Sequence, residues 1–162
     1  MIKTNDLPSQ VRLKELFHYH PETGEFYWKT GRYSGKLAGT IRKGYTLINL
    51  SGKKLLAHRL AWVYMHGVDP VDAMIDHIDG IGCNNRIENL RLATRVQNAA
   101  NCDIYKGYSL DRGKYKAQIM IDGKNVNLGR FDCPLLARLA YQQKHAEVHG
   151  NYSPYKKELS YA

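Results

Sequence analysis

Between Met74 and Asn98 the sequence sets a narrow structural problem. Two short runs, Met74-Ile75-Asp76-His77 and Leu90-Arg91-Leu92-Ala93, are too brief for helices and suit short strands. Asp79-Gly80 between them signals a turn, followed by an irregular stretch rich in Asn and Gly. Thr94-Arg95-Val96-Gln97 then fits a capping box, with the Thr oxygen placed to accept the Gln97 N–H, and opens a helix from about Arg95 to Asn101. The segment therefore predicts a β–loop–β–α unit. It gathers carboxylate, imidazole and amide groups, and it can place Asp76 at a strand end opposite Asn98 on the helix.

Those groups suit one kind of chemistry. Carboxylate and amide oxygens are hard ligands that favour Mg²⁺ or Mn²⁺ with retained waters over a closed zinc cage. A neutral imidazole is a good general base for activating water. One cation and one base suffice to hydrolyse a phosphodiester. Adjacent side chains on a strand point to opposite faces, so Asp76 and His77 can share one phosphate only where the strand bends or ends. Asp79 reads as a turn residue, and Asn84 and Asn85 read as loop formers. His58 is balanced between touching the site and a hydrogen-bonded structural role.

Charge points the same way. The 162 residues carry 24 Lys and Arg against 15 Asp and Glu, a net of +9, as expected for a polyanion's partner. The excess is divided: +6 over residues 1–70, −1 over 71–102 and +4 over 103–162. Two basic arms flank a centre fit to hold a cation beside phosphate. No apolar run is long enough to span a bilayer, and the N-terminus lacks the apolar stretch of a signal peptide. Cys83, Cys102 and Cys133 are an odd, widely spaced set without a CxxC pair, which suggests reduced thiols in a cytosolic setting.

Upstream, Ser9 can cap a short helix with Val11, Leu13, Leu16 and Phe17 on its apolar side. Glu25–Trp28 and Tyr45–Leu50 read as strands, Ser51–Lys54 as a turn, Leu55–Ala57 as the hairpin return and His58–His66 as a helix. Lys36, Arg42, Lys43, Lys53 and Lys54 lie on this ribbon and its turns, where they can track a phosphate backbone or be simply solvated. Downstream, Tyr105–Leu110, Lys114–Ile121 and Asn125–Phe131 read as three strands joined by turns at Asp111–Gly113 and Asp122–Lys124. A helix follows from Pro134 to about Val148, with Ala137, Ala140, Tyr141, Lys144 and Val148 on one face. Alternation lets Lys114, Lys116 and Gln118 share a face, with Arg112, Lys124, Asn125, Asn127 and Arg130 in or beside the strands. Such groups hold phosphates or read bases.

Asp-His-Ile-Asp-Gly, Asn-Asn-Arg-Ile-Glu-Asn-Leu and Thr-x-x-x-Asn, with His58-Arg59-Leu60 upstream, resemble the HNH endonuclease motif in its phage homing-endonuclease form. The resemblance covers roughly residues 40–102. It implies an α+β fold: a ββα-metal nuclease core with an N-terminal ribbon and helix, followed by a small three-stranded antiparallel sheet plus helix. It implies His77 as general base, Asn89 as the residue orienting the loop and through it the His ring, and Asp76 with Asn98 as metal ligands. His58 and Arg59 would support the site. One Mg²⁺ per site is implied, with Mn²⁺ as substitute, and products carrying 5′ phosphate and 3′ hydroxyl ends. Lys106-Gly107-Tyr108, Lys114–Ile119 and Leu128–Asp132 resemble the plant ethylene-response-factor DNA-binding domain, which implies a sheet laid into the major groove.

The expectation is a nuclease domain over 1–102 and a DNA-binding domain over 103–162, acting on double-stranded DNA as a monomer or DNA-dependent dimer. It would work in the cytoplasm of a bacterial or phage-infected cell. A non-catalytic DNA-binding regulator on a degenerate HNH scaffold accounts equally well for the charge and the tail.

Overall fold

The computed structural model describes residues 7–102 and 106–156. The chain divides into two compact units, Met1–Arg95 and Val96–Ala162. Both mix helices with small antiparallel sheets, so the fold is α+β.

The first unit opens with α1 (Gln10–Leu16), whose Ser9 cap accepts the Arg12 N–H as expected. Phe17 was expected on the helix face. Instead it begins β1 (Phe17–His20), because it pairs with Trp28 of β2 (Glu25–Trp28) in a tight hairpin. Val11 is exposed, so the burial of α1 rests on Leu13, with Leu16 partly buried against the same core. A three-stranded sheet follows: β3 (Thr40–Arg42), β4 (Tyr45–Leu50) and β5 (Lys53–Leu56), in the order β3-β4-β5. Sequence periodicity did not reveal β3. The expected four-residue turn contracts to Ser51-Gly52, which leaves Lys53 and Lys54 in β5.

Helix α2 (Ala57–His66) runs through the core, burying Leu60, Ala61 and Val63, and Gly67 closes it in the left-handed region. Its core partners come from every neighbouring element: Leu13, Phe17, Tyr19, Phe26, Ile48, Leu55, Ile75 and Leu90. β6 (Met74–His77) and β7 (Leu90–Ala93) then pair antiparallel, with Asp76 opposite Arg91 and His77 opposite Leu90. Both strands have the bounds expected from sequence. A single 3₁₀ turn, Ile87–Asn89, leads into β7. α3 (Arg95–Ala100) comes next in the chain, and the boundary between the units falls within it.

The second unit contains β8 (Tyr108–Asp111), β9 (Lys114–Ile121) and β10 (Lys124–Phe131), ordered β10-β9-β8, and α4 (Pro134–His149). β8 begins later than expected, and Tyr105 lies outside the described residues. The turns are two residues long, Arg112-Gly113 and Asp122-Gly123, with positive φ at all four positions, as tight hairpins require. Ala117 and Ile119 on one face of β9 are buried with Ala137 and Tyr141 of α4. Val148, expected to share a face with Ala137 and Tyr141, is exposed while those two are buried; His145 takes the inward place because Ser153 and Tyr155 close over it. No helix among the described residues is long and apolar enough to cross a membrane.

Candidate active site

β6 ends at His77, so the two adjacent reactive side chains stand at a strand terminus. Asp76 and His77 are 4 % and 6 % exposed, which for a carboxylate and an imidazole demands partners. Asp76 finds one across the strand pair: Arg91 Nε donates to its Oδ2 at 2.7 Å. Arg91 itself is mostly buried. Sequence reasoning passed over Arg91, yet its register opposite Asp76 on β7 was a usable signal.

His77 Nε2 lies 3.2 Å from Asn85 Oδ1. The His58 ring stands edge-on to it at 5.0 Å, and Tyr45 is 6.1 Å away. His58 is buried and its Nδ1 makes no hydrogen bond. Burial, reinforced by His77 and Arg59, pushes its imidazole down to about 3, so the ring is neutral beside His77. Arg59, expected to support the site, is paired with Asp69.

The loop from Asp79 to Asn89 is tied into a knot. Asn89 accepts the Asp79 N–H at 3.1 Å and donates to Asp79 Oδ1 at 2.9 Å and to the Asn84 carbonyl at 2.8 Å. Asp79 Oδ1 also accepts from the Ile81 N–H, and Oδ2 from Asn84. Partial burial pushes the Asp79 carboxyl up, but the Ile81 amide, Asn89, Asn84 and nearby His77 outweigh it and hold the group below the usual carboxylate value. Asn89 thus grips the loop, while Asn85, taken from sequence for a loop former, is the residue bonded to His77. Asn98 sits half-buried on α3, where its carbonyl faces the Cys102 thiol.

The expected basic residues of the first unit, Lys36, Arg42, Lys43 and Lys53, are all exposed. Arg42, Lys43, Tyr45, Leu47, Lys54 and Leu56 line a groove of about 640 Å³. Tyr45 belongs both to this groove and to the ring cluster around His77. In the second unit Lys116, Gln118, Asn127 and Arg130 share the sheet face opposite the buried Ala117 and Ile119, because Lys116 pairs with Arg130 and Gln118 with Asn127. Lys114 shares that face at the hairpin end and pairs with Asp132 at 3.1 Å. Arg112 lies in the turn, and Lys124, paired with Ile121, has the opposite parity.

These features stand inside a known pattern. Residues 55–100 match the HNH endonuclease family. Over 125 residues, 72 % of its length, the chain is 27 % identical to Protein 3.8 of Escherichia phage T7 and spans all of that protein. Over 116 residues it is 28 % identical to an uncharacterized HNH endonuclease of Acanthamoeba polyphaga mimivirus, covering 69 % of this chain and 62 % of that one. It is also similar to the HNH homing endonuclease I-HmuI, solved in a study of DNA binding and cleavage. There the identity is 32 %, over 52 % of this chain and 50 % of the other, with a TM-score of 0.43.

HNH nucleases generally use a divalent metal ion. The donor chemistry here fits one at Asp76, which offers a hard carboxylate oxygen, already paired on one side with Arg91. Among the described residues no group of three or more His, Cys, Asp and Glu could hold a metal ion. A cation with one carboxylate and several retained waters needs no such group. It would share Asp76 with Arg91.

Proposed function

We propose that this chain is a metal-dependent DNA endonuclease that hydrolyses phosphodiester bonds and leaves 5′ phosphate and 3′ hydroxyl ends. The observation that carries this is the buried Asp76–His77 pair at the end of β6, fixed by Arg91 and Asn85, within the segment that matches the HNH endonuclease family.

His77 takes a proton from the attacking water. Its position is fixed before substrate arrives, which removes part of the ordering cost of the reaction. Asp76 is the residue of this unit that would hold a divalent ion, Mg²⁺ or Mn²⁺, and Arg91 keeps its carboxylate oriented. Such an ion, when bound, supplies positive charge at the scissile phosphate and the leaving oxygen. His58, neutral and buried beside His77, adds no competing positive charge there.

Each unit offers basic residues for DNA in this proposal. The groove of Arg42, Lys43, Lys54 and Tyr45 takes the backbone beside the cut, since Tyr45 also borders His77. Lys116, Gln118, Asn127 and Arg130 on the open sheet face of the second unit also contact the duplex. With one Asp76–His77 pair per chain, a monomer nicks one strand, and double-strand cutting takes two chains or two visits.

Supercoiled plasmid incubated with the protein and Mg²⁺ tests the proposal. Nicked or linear product is expected, lost with EDTA and restored by Mg²⁺ or Mn²⁺. His77→Ala is expected to cut about 10²- to 10⁴-fold more slowly while still shifting DNA on a gel. Gel shift without cleavage by the wild-type protein would leave a DNA-binding regulator instead.

A further inference from the structure

The residue that touches His77 is itself held from outside the family match. Asn85 is 2 % exposed, one of the largest fully buried side chains in the protein. Its amide nitrogen donates to the Cys83 carbonyl at 3.2 Å. A backbone carbonyl only accepts, so the amide cannot be turned around, and Oδ1 is the atom that faces His77 Nε2. Oδ1 also only accepts. The hydrogen in that contact therefore sits on His77 Nε2, and in a neutral imidazole the lone pair is then on Nδ1.

Asn85 is fixed in turn by the β1–β2 hairpin. The Tyr19 hydroxyl donates to the Asn85 carbonyl at 2.7 Å across 66 positions of sequence. Tyr19 is buried against Phe26 and Tyr64, and burial pushes its ionisation up, so it stays a donor. The Pro21 carbonyl accepts the Ile87 N–H at 3.1 Å. At the hairpin turn Gly24 has φ of +76°, and a Cβ there would lie 2.4 Å from the Asn85 carbonyl carbon and 2.5 Å from the Arg86 nitrogen. The hairpin tip and the Asn85–Arg86 backbone are in direct apposition, with no room for a side chain.

We propose that the N-terminal hairpin, residues 17–28, is a positioning element of the active site: through Asn85 it holds His77 as the Nε2–H tautomer and makes Nδ1 the nitrogen that accepts the proton from water. This deepens the assignment of His77 as general base and rests on it. Residues 17–28 lie outside the matched segment 55–100, so a fragment limited to that segment would lack the control.

The tautomer is read directly in the metal-free, isotope-labelled chain of 162 residues. Long-range ¹H–¹⁵N correlation at about pH 8, where an ordinary imidazole is neutral, distinguishes Nδ1 from Nε2 protonation. The His77 signal is assigned by its loss in His77→Ala. A pure Nε2–H pattern is expected. An Nδ1–H pattern, or a mixture of the two, overturns the proposal. Asn85→Ala is expected to release a mixture and lower kcat about 10- to 100-fold with KM changed less than about 2-fold. Should Asn85→Ala fail to fold, Tyr19→Phe gives the same readout: a weakened Nε2–H preference and a kcat reduced by a smaller factor. An unchanged His77 spectrum and unchanged kcat in the folded variants overturn the hairpin's role. If His77→Ala cuts at the wild-type rate, the base assignment fails, whatever the spectrum shows about the tautomer.

Discussion

In the first unit Asp76, His77, Asn85 and Asn89 are each less than a tenth exposed, and each is bonded to a neighbouring side chain. In the second, Lys114, Asn125, Asn127 and Arg130 stand exposed on one face of a sheet. The residue types overlap, but their physical situations do not. A buried polar group costs free energy unless it is paired, so a cluster of them is held to one geometry. An exposed Lys or Arg is stable in many geometries and can adjust to a phosphate that arrives from solution. Fixed groups suit bond-breaking, and adjustable ones suit holding a polyanion. Perturbing each region should therefore change different observables.

The largest effect is expected from acid. The folded value of His58 is about 3, well below its ordinary 6.5, because burial and the neighbouring His77 and Arg59 disfavour the charged ring. The unfolded chain then binds more protons than the folded one between those values. This contribution to stability is intact above about 6.5 and is lost as pH falls toward 3, at up to about 1.4 kcal/mol per pH unit. Urea unfolding of wild type and His58→Leu between pH 4 and pH 8 should show a shallower pH dependence in the variant. Equal slopes would mean that the buried ring is not what the acid attacks.

Asn89→Ala comes next. It removes both bonds to Asp79 and the one to the Asn84 carbonyl, and takes away the buried side chain that ties these loop groups together. A loss of about 2–3 kcal/mol in denaturant unfolding is expected, with slower cleavage. A change under about 0.5 kcal/mol would show that the loop is not held by this knot, and the contrast between the units would weaken.

Much of this was legible from sequence wherever neighbours in the chain decide the structure. β6, β7 and β9 fall where short runs bounded by turn residues put them, and Gly67 and Gly150 end α2 and α4 as glycine should. Asp76 and His77 stood out because their residue types are unusual in so short a segment. What stayed hidden depends on distant partners. Phe17 leaves the helix because Trp28 pairs with it. His145 turns inward because Ser153 and Tyr155, beyond the helix end, cover it. Asn85 looked like any loop asparagine because Tyr19 and Gly24, which bury and hold it, lie more than sixty positions away.

The smallest effects are expected on the open sheet, and they sharpen the comparison most. Lys116→Ala should leave stability within about 0.5 kcal/mol of wild type, yet lower the salt dependence of DNA binding by about one unit of slope if Lys116 neutralises a phosphate. Asp132 supplies the converse. It pairs with Lys114 at 3.1 Å, but the two side chains are 83 % and 52 % exposed, so the pair adds little to folding. Asp132→Asn removes a negative charge beside a candidate phosphate contact. Stability should again stay within about 0.5 kcal/mol, while DNA affinity rises by a factor of a few at low salt and less at high salt, because exposed charges are screened. A fall in affinity would mean that Lys114 must be oriented by Asp132 before it can bind. The sheet would then be pre-set in the manner of the Asp76–His77 site, and the distinction between fixed and adjustable polar groups would not hold across this molecule.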